Sequence, residues 1–414
     1  MAYDLLVRET THPAVGGRTN IGVTDGRIEY VGPEPGSGER EIAAGGGLLA
    51  EPFVDCHVHL DKAFIADSLP PNESGTLGEA IENIHERKAQ YTVEDVRDRA
   101  ETAIEHHVRN GCTQLRTHVD VDSIGGLRPL EGVRAAREAC TDIANVQIVA
   151  FPQEGILKDP ETEELLADAL EGGADVVGGM PDNERSERAR EAHADICLEL
   201  ADEHDVPVDM HVDETDDPNA RSLEYVAART LELGLDDVTA GHTCALAAYE
   251  ENHAHRVIEL LEEAEMNVVT NPPTNLLLQG RHDRHPKRRG ITRVDQLREA
   301  GITVAAGQDC MQDGFYPYGR ASMLETALLT AHAAHLATPA ERLTAWEMVS
   351  SHAATVMGIE HGIAEGKPAT FNLFPASVTS RTDALRAGRP PRTVIHRGRV
   401  VTENTAESTL HRAN

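Results

Sequence analysis

The stretch Phe53-Val54-Asp55-Cys56-His57-Val58-His59 decides how the rest of the chain reads. It is a β-prone run ending in two histidines two residues apart. Side chains alternate along a strand, so both imidazoles project to one side. Working outward, seven more short β-prone runs follow: Leu115–Val119, Val146–Phe151, Ala174–Gly178, Val208–His211, Val238–His242, Val268–Asn271 and Ile302–Ala306. Amphipathic stretches lie between or after them, among them Val93–Val108, Glu187–Ala201, Ala245–Ala264 and Pro339–Val356. Thr338, Pro339 and Glu341 supply an N-cap, an N1 proline and an N3 acid for the last of these. Eight strand–helix alternations predict an α/β fold, a closed parallel (β/α)8 TIM-type barrel.

The flanks read differently. Ile21-Gly22-Val23 and Arg27–Val31 bracket the turn signal Asp25-Gly26, and Thr370–Phe374, Thr393–His396 and Gly398–Val401 give matching short strands near the other end. Both termini are expected to build one small β domain. The expected division is residues 1–49 and 365–414 for that domain and 50–364 for the barrel.

A length of 414 residues suits one large barrel with a smaller companion. Hydrophobic residues make up 40% and aromatics only 3%, so the core must be aliphatic. The net charge of −32 disfavours nucleic acid and anionic membranes as partners. The acids are spread over predicted helices, as in Glu161-Thr162-Glu163-Glu164, which fits a halophilic, high-salt cytoplasm better than a cationic partner. None of the six cysteines forms a CxxC pair, and Cys56, Cys244 and Cys310 adjoin candidate site residues; reduced thiols in a cytoplasmic protein are expected. The opening residues lack a signal-peptide pattern, and no apolar run approaches the ~20 residues of a membrane span.

His57, His59, His211, His242 and Asp309 all fall at predicted strand ends, which converge on one face of such a barrel. Three imidazoles (His57, His59, His211) and the Asp309 carboxylate suit one divalent metal, Zn²⁺ or Fe²⁺, with a position open for water. That is the ligand set of a hydrolase that activates water. Glu214, three residues past a ligand, can carry a proton beside a bound substrate. His242 either orients the water or fills the barrel end; Asp209 and Asp213 read as surface acids or as supports for the ligands. His118 is a possible support, not a ligand. The pairs His253/His255 and His332/His335 lie in helical stretches and read as surface or packing residues, and Lys287-Arg288-Arg289 as partners for acids in the loop after strand seven or at a subunit contact.

Beyond these residues, a resemblance covers nearly the whole chain. It is densest in His57–Asp61, Ser74-Gly75-Thr76-Leu77, Arg116–Val121, Gln147 through Leu157 (QIVAFPQEGIL), Ala174–Gly178, Gln279-Gly280-Arg281 and Pro286 through Val294 (PKRRGITRV). In these segments the chain resembles the cytosine deaminases of the amidohydrolase superfamily. The resemblance implies that His57, His59, His211 and Asp309 bind the metal, that Glu214 shuttles a proton to a ring nitrogen, that His242 holds the attacking water and that Gln153 binds the amide edge of a pyrimidine. It also implies a homo-oligomer, a place in pyrimidine salvage and a small heterocyclic substrate; no phosphate-binding loop is present. The fourth strand lacks the lysine that bridges two metals in binuclear barrels, running instead into Gly178-Gly179-Met180-Pro181, which implies a single ion.

Three departures bear on the substrate. Gly307-Gln308-Asp309-Cys310 has Gln and Cys where the familiar deaminases have His and Asp around the metal-binding aspartate. Cys310 is either a small buried residue or a substrate-binding one that makes room for a 5-methyl group. Met180-Pro181-Asp182-Asn183 lacks the usual His after Pro, and Lys62-Ala63-Phe64 is similar to deaminases of other small rings. The expectation is hydrolytic deamination of cytosine or a C5-substituted cytosine; creatinine, isoguanine or an ammelide-type triazine is the alternative. Phe315 is either a ring-stacking residue or a loop aromatic packed on its neighbours.

Overall fold

The computed structural model describes residues 2–13, 17–34, 36–74 and 77–411; Gly75 and Thr76 of one resemblance segment lie outside the described residues. The chain divides into two compact units. One comprises residues 53–106 and 114–359, the other residues 1–52, 107–113 and 360–414.

The larger unit carries an eight-stranded parallel sheet: β1 Phe53–Val58, β2 Cys112–Asp120 (its first two residues counted with the other unit), β3 Asn145–Phe151, β4 Val176–Gly179, β5 Val208–Val212, β6 Val238–His242, β7 Asn267–Thr270 and β8 Val304–Ala306. Each strand is hydrogen-bonded to the next in sequence. A parallel bridge between Val58 and Asp309 brings the last strand back to the first, with Asp309 N–H donating to His57 O (2.7 Å) and His59 N–H to Asp309 O (3.1 Å). This is the TIM barrel expected from the eight alternations. Its strands are buried on both faces, as parallel strands covered by helices must be, which is why they read as short apolar runs.

Two expected helices are broken. The stretch Ala245–Ala264 forms a 3-10 segment, Cys244–Ala248, and then a helix, Glu251–Glu263, restarted by the Glu250 side chain accepting from the N–H groups of Asn252 and His253. The stretch Pro339–Val356 forms helices Pro339–Glu347, with the expected capping box at Thr338, and Ser351–Val356. The break frees the carbonyls of Met348 and Val349, which accept from Ala306 N–H and Val54 N–H on β8 and β1. Tertiary hydrogen bonding thus overrides continuous helical periodicity.

The smaller unit holds two four-stranded sheets. One orders Arg27–Gly32, Arg18–Thr24, Ala2–Thr11 and Ser37–Ala43; the other orders Arg399–Glu403, Thr393–His396, Phe371–Leu373 and Leu49–Ala50. Leu5, Val7 and Ile21 from one end of the chain and Phe371, Leu373 and Ile395 from the other share one apolar cluster. Both termini therefore build this β domain.

Candidate metal centre and substrate cavity

The C-terminal strand ends bring His57, His59, His211, His242 and Asp309 together. The ligand atoms of His57, His211, His242 and Asp309 all lie within 4.8 Å of one another. His59 Nε2 is 3.3 Å from both Asp309 Oδ1 and His211 Nε2, and His57 Nε2 is 3.8 Å from Asp309 Oδ1. All five residues are buried. The chain turns sharply here: Asp213, His242 and Asp309 adopt positive φ (51°, 67° and 66°), a conformation that costs energy in non-glycine residues and clusters at functional sites. Close approach also requires Gly307, where a Cβ would fall 2.7 Å from His57 Cβ and 2.6 Å from Asn271 Oδ1.

Hydrogen bonding fixes which nitrogens face the centre. His59 Nδ1 lies 3.1 Å from the His118 carbonyl. A carbonyl only accepts, so Nδ1 carries the proton and Nε2 presents a lone pair. His211 Nε2, 3.3 Å from that lone pair, donates to it in its Nε2–H tautomer and faces it lone pair to lone pair in the other. His57 Nε2, His211 Nδ1 and Asp309 Oδ2 are buried with no hydrogen-bond partner among the described residues. Such orphaned atoms are costly unless something else satisfies them. Burial pushes the His57 and His211 imidazoles well below their usual range, reinforced by the neighbouring imidazoles, and His59 falls to about 4 through burial and the Lys62 charge. Neutral imidazoles and an ionised carboxylate are the forms that bind metal, so the donor set fits a divalent ion.

Buried contacts behind the imidazoles hold them in place. His118, buried 4.1 Å from the His57 ring, has its Nε2 3.3 Å from Asp209 Oδ1, and Asp209 also accepts from Arg116 (3.0 Å). Asp209 and Asp213 are both buried, which removes the surface reading of these acids; Asp213 accepts from Tyr249 Oη (2.8 Å) and from the N–H groups of Ser222 and Leu223. His57, His118 and Asp209 also form a compact group, sharing His57 with the centre.

Glu214 stands beside His242, its Oε1 3.3 Å from His242 Nδ1 and accepting from Asn275 Nδ2 (2.9 Å). Asn275 Oδ1 in turn lies 3.0 Å from His242 Nδ1, and the Asn271 amide 3.2 Å from His242 Nε2. Burial pushes the Glu214 carboxyl up; His242 opposes this and Asp309 adds to it. Neither asparagine was singled out in the sequence reading. The signal was there in Asn271-Pro272-Pro273-Thr274-Asn275, directly after β7: prolines start a helix and place residues four apart on one face.

A cavity of about 210 Å³ opens beside the centre. Its walls include His59, Gln153, Glu214, Asp309, Cys310 and Phe315. That volume is below the roughly 300–1,000 Å³ of sites for drug-sized ligands and suits one small ring. Cys310 and Phe315 thus both face the cavity, and all six cysteines are free and buried. Asp182, which stands where the resemblance expected a His after Pro181, is also a wall residue; it accepts Glu214 N–H at Oδ2 (2.8 Å) while its Oδ1 has no hydrogen-bond partner among the described residues, and burial and Asp213 push its carboxyl up to about 7. Of the other basic residues, Arg288 pairs with Asp283 (2.8 Å), a loop acid as expected. The His253 ring packs tilted against Tyr249 (4.7 Å between centroids), and no helix among the described residues is long and apolar enough to cross a membrane.

A barrel with histidines and an aspartate at its strand ends, and an acid over a small cavity, defines a class of hydrolases acting on carbon–nitrogen bonds. Residues 75–402 match the Amidohydrolase family, and the chain belongs to that family. It is 31% identical over 379 residues to N-isopropylammelide isopropyl amidohydrolase of Pseudomonas sp. (strain ADP), covering 89% of this chain and 90% of that one. It is equally 31% identical to pterin deaminase of Rhizobium rhizogenes, covering 93% and 88%. Among solved structures it is similar to 5-methylcytosine deaminase from Klebsiella pneumoniae liganded with 5-fluorocytosine, with a TM-score of 0.93 and 33% identity over 98% of this chain and 99% of that one. The chain is a hydrolase acting on carbon–nitrogen bonds of the hydrolytic deaminase type.

Proposed function

We propose that this protein deaminates cytosine or a C5-substituted cytosine, 5-methylcytosine above all, to the uracil or thymine product and ammonia. The observation that carries this reading is the cavity itself: Gln153, Glu214, the metal-type centre and Cys310 border one small space. Similarity to the 5-methylcytosine deaminase over nearly the full length of both chains supports it.

His57, His59, His211 and Asp309 hold the ion in this reading, and a divalent ion there supplies an acidified water near neutral pH. Zn²⁺ and Fe²⁺ both suit the donors. Gln153 grips the amide edge of the ring. Water adds across the bond between the amino-bearing carbon and the adjacent ring nitrogen. Asp309 takes a proton from the water as its oxygen bonds to that carbon. Glu214, whose carboxyl is pushed up by burial, protonates the ring nitrogen. The carbon–amine bond then breaks: the amine leaves with the proton held by Asp309 as ammonia, the hydroxyl proton returns to Glu214, and a ring carbonyl remains. His242, fixed by Asn275, steadies the attacking water. Cys310 is uncharged, since burial pushes its thiol well up, and leaves room for a methyl group that a carboxylate would exclude.

Ammonia release from 5-methylcytosine, cytosine, creatinine, isoguanine and ammelide tests the reading. The expected order places the two cytosines first. Cys310→Asp should shift preference from 5-methylcytosine toward cytosine by about tenfold. Fastest turnover of creatinine or a triazine would replace the proposed substrate.

A further inference from the structure

Lys62 follows the ligand strand and is 1% exposed, yet it is not part of the cavity wall. Its ammonium donates to Asp120 Oδ1 (2.6 Å) and to Gln153 Oε1 (3.1 Å). The rings of Phe151 and Phe315 lie 5.7 and 5.9 Å from Nζ and cover it from water. An ammonium has donors only, so the Gln153 atom that faces it must be the carbonyl oxygen. A side-chain amide in a cavity could otherwise present either end. Here the reversed orientation would set an NH2 group against a buried cation.

The lysine is itself held. Asp120 Oδ2 is 2.6 Å from Lys88 Nζ, which also reaches Asp122 Oδ2 (2.7 Å) and Glu154 Oε1 (2.9 Å). Two consecutive residues of the loop after β3, Gln153 and Glu154, are thus pinned by two buried ammoniums that share one aspartate. His85 Nε2 closes the chain of contacts on Glu154 Oε2 (2.7 Å).

We propose that Lys62 is a positioning residue that sets the direction of the Gln153 amide, so that its N–H donors meet a ring carbonyl and the site selects rings carrying one. This rests on Gln153 as the ring-binding amide of the proposed function. Lys62 acts through Gln153 and does not touch the ring.

Binding by calorimetry to the metal-loaded protein tests it, with uracil and 4(3H)-pyrimidinone, which lacks the C2 carbonyl, as the matched pair. Wild type is expected to prefer uracil by about tenfold or more. Lys62→Met should keep its metal and lose most of that preference, and adding Lys62→Met to Gln153→Leu should cost nothing further. Equal weakening of both ligands by Lys62→Met, or an undiminished loss in the Gln153→Leu background, overturns the proposal. Gln153→Glu, which keeps size and the Lys62 contact, covers a misfolded Lys62→Met. It should abolish the uracil preference, and retention of that preference overturns the proposal. So does a wild type that binds neither ring. Affinity is read without turnover, so an absence of ammonia release counts against the deaminase reading alone.

Discussion

Two buried polar clusters lie at the strand ends of the barrel, and they are built on opposite terms. In the histidine cluster the His57, His59 and His211 imidazoles are held neutral, and His57 Nε2 and Asp309 Oδ2 lack hydrogen-bond partners among the described residues. In the lysine cluster each of Lys62, Lys88, Asp120, Asp122 and Glu154 has an ion-pair partner within 2.9 Å. An under-satisfied cluster is a place waiting for a ligand. A saturated one is a rigid support, because removing one charge strands the others in a low-dielectric interior. The same depth of burial thus serves binding in one region and positioning in the other.

The contrast breaks first at the acid over the histidine cluster. Glu214→Gln is expected to lower kcat by about 10²–10⁴-fold with metal content unchanged, read by ammonia release and elemental analysis. Unchanged turnover would remove its proton-carrying role. The supporting cluster should respond in stability. Lys88→Met leaves Asp120, Asp122 and Glu154 facing one another without it and should destabilise the fold by about 3–5 kcal/mol, measured by denaturant unfolding. A loss under about 1 kcal/mol would show that this network is not the support described. The smallest effect is in pH. Burial pushes the Glu154 carboxyl up, but His85 and Lys88 outweigh it and bring it from 4.5 down to about 2. A carboxylate with a depressed folded pKa contributes stability above its unfolded value, and that contribution disappears as pH falls from about 4.5 toward 2. Glu154→Gln should flatten the decline of Tm in that window, and an unaltered slope would assign the acid sensitivity elsewhere.

The barrel was legible in the chain because its strands are short, buried and β-prone, and because helical stretches separate them. The histidine cluster was legible because every member sits at a strand end, where topology alone brings residues together. The lysine cluster was not. Lys88 ends the helix Leu77–Lys88, while Asp120 and Glu154 belong to β2 and to the loop after β3, so their pairing exists only in three dimensions. The scarcity of lysine was the available hint: the chain has five, and Lys62 and Lys88 are among its largest fully buried side chains. The break between Glu347 and Ser351 was hidden for a similar reason, since the carbonyls of Met348 and Val349 are claimed by strands distant in sequence.

Metal content measured together with activity is the most direct test of the histidine cluster. Purified protein should hold about one equivalent of zinc or iron per chain, lose ammonia release on chelation, and regain it when either ion is returned. His211→Ala should lose both the metal and the activity. Full turnover in protein shown to be free of metal would contradict the account at its centre.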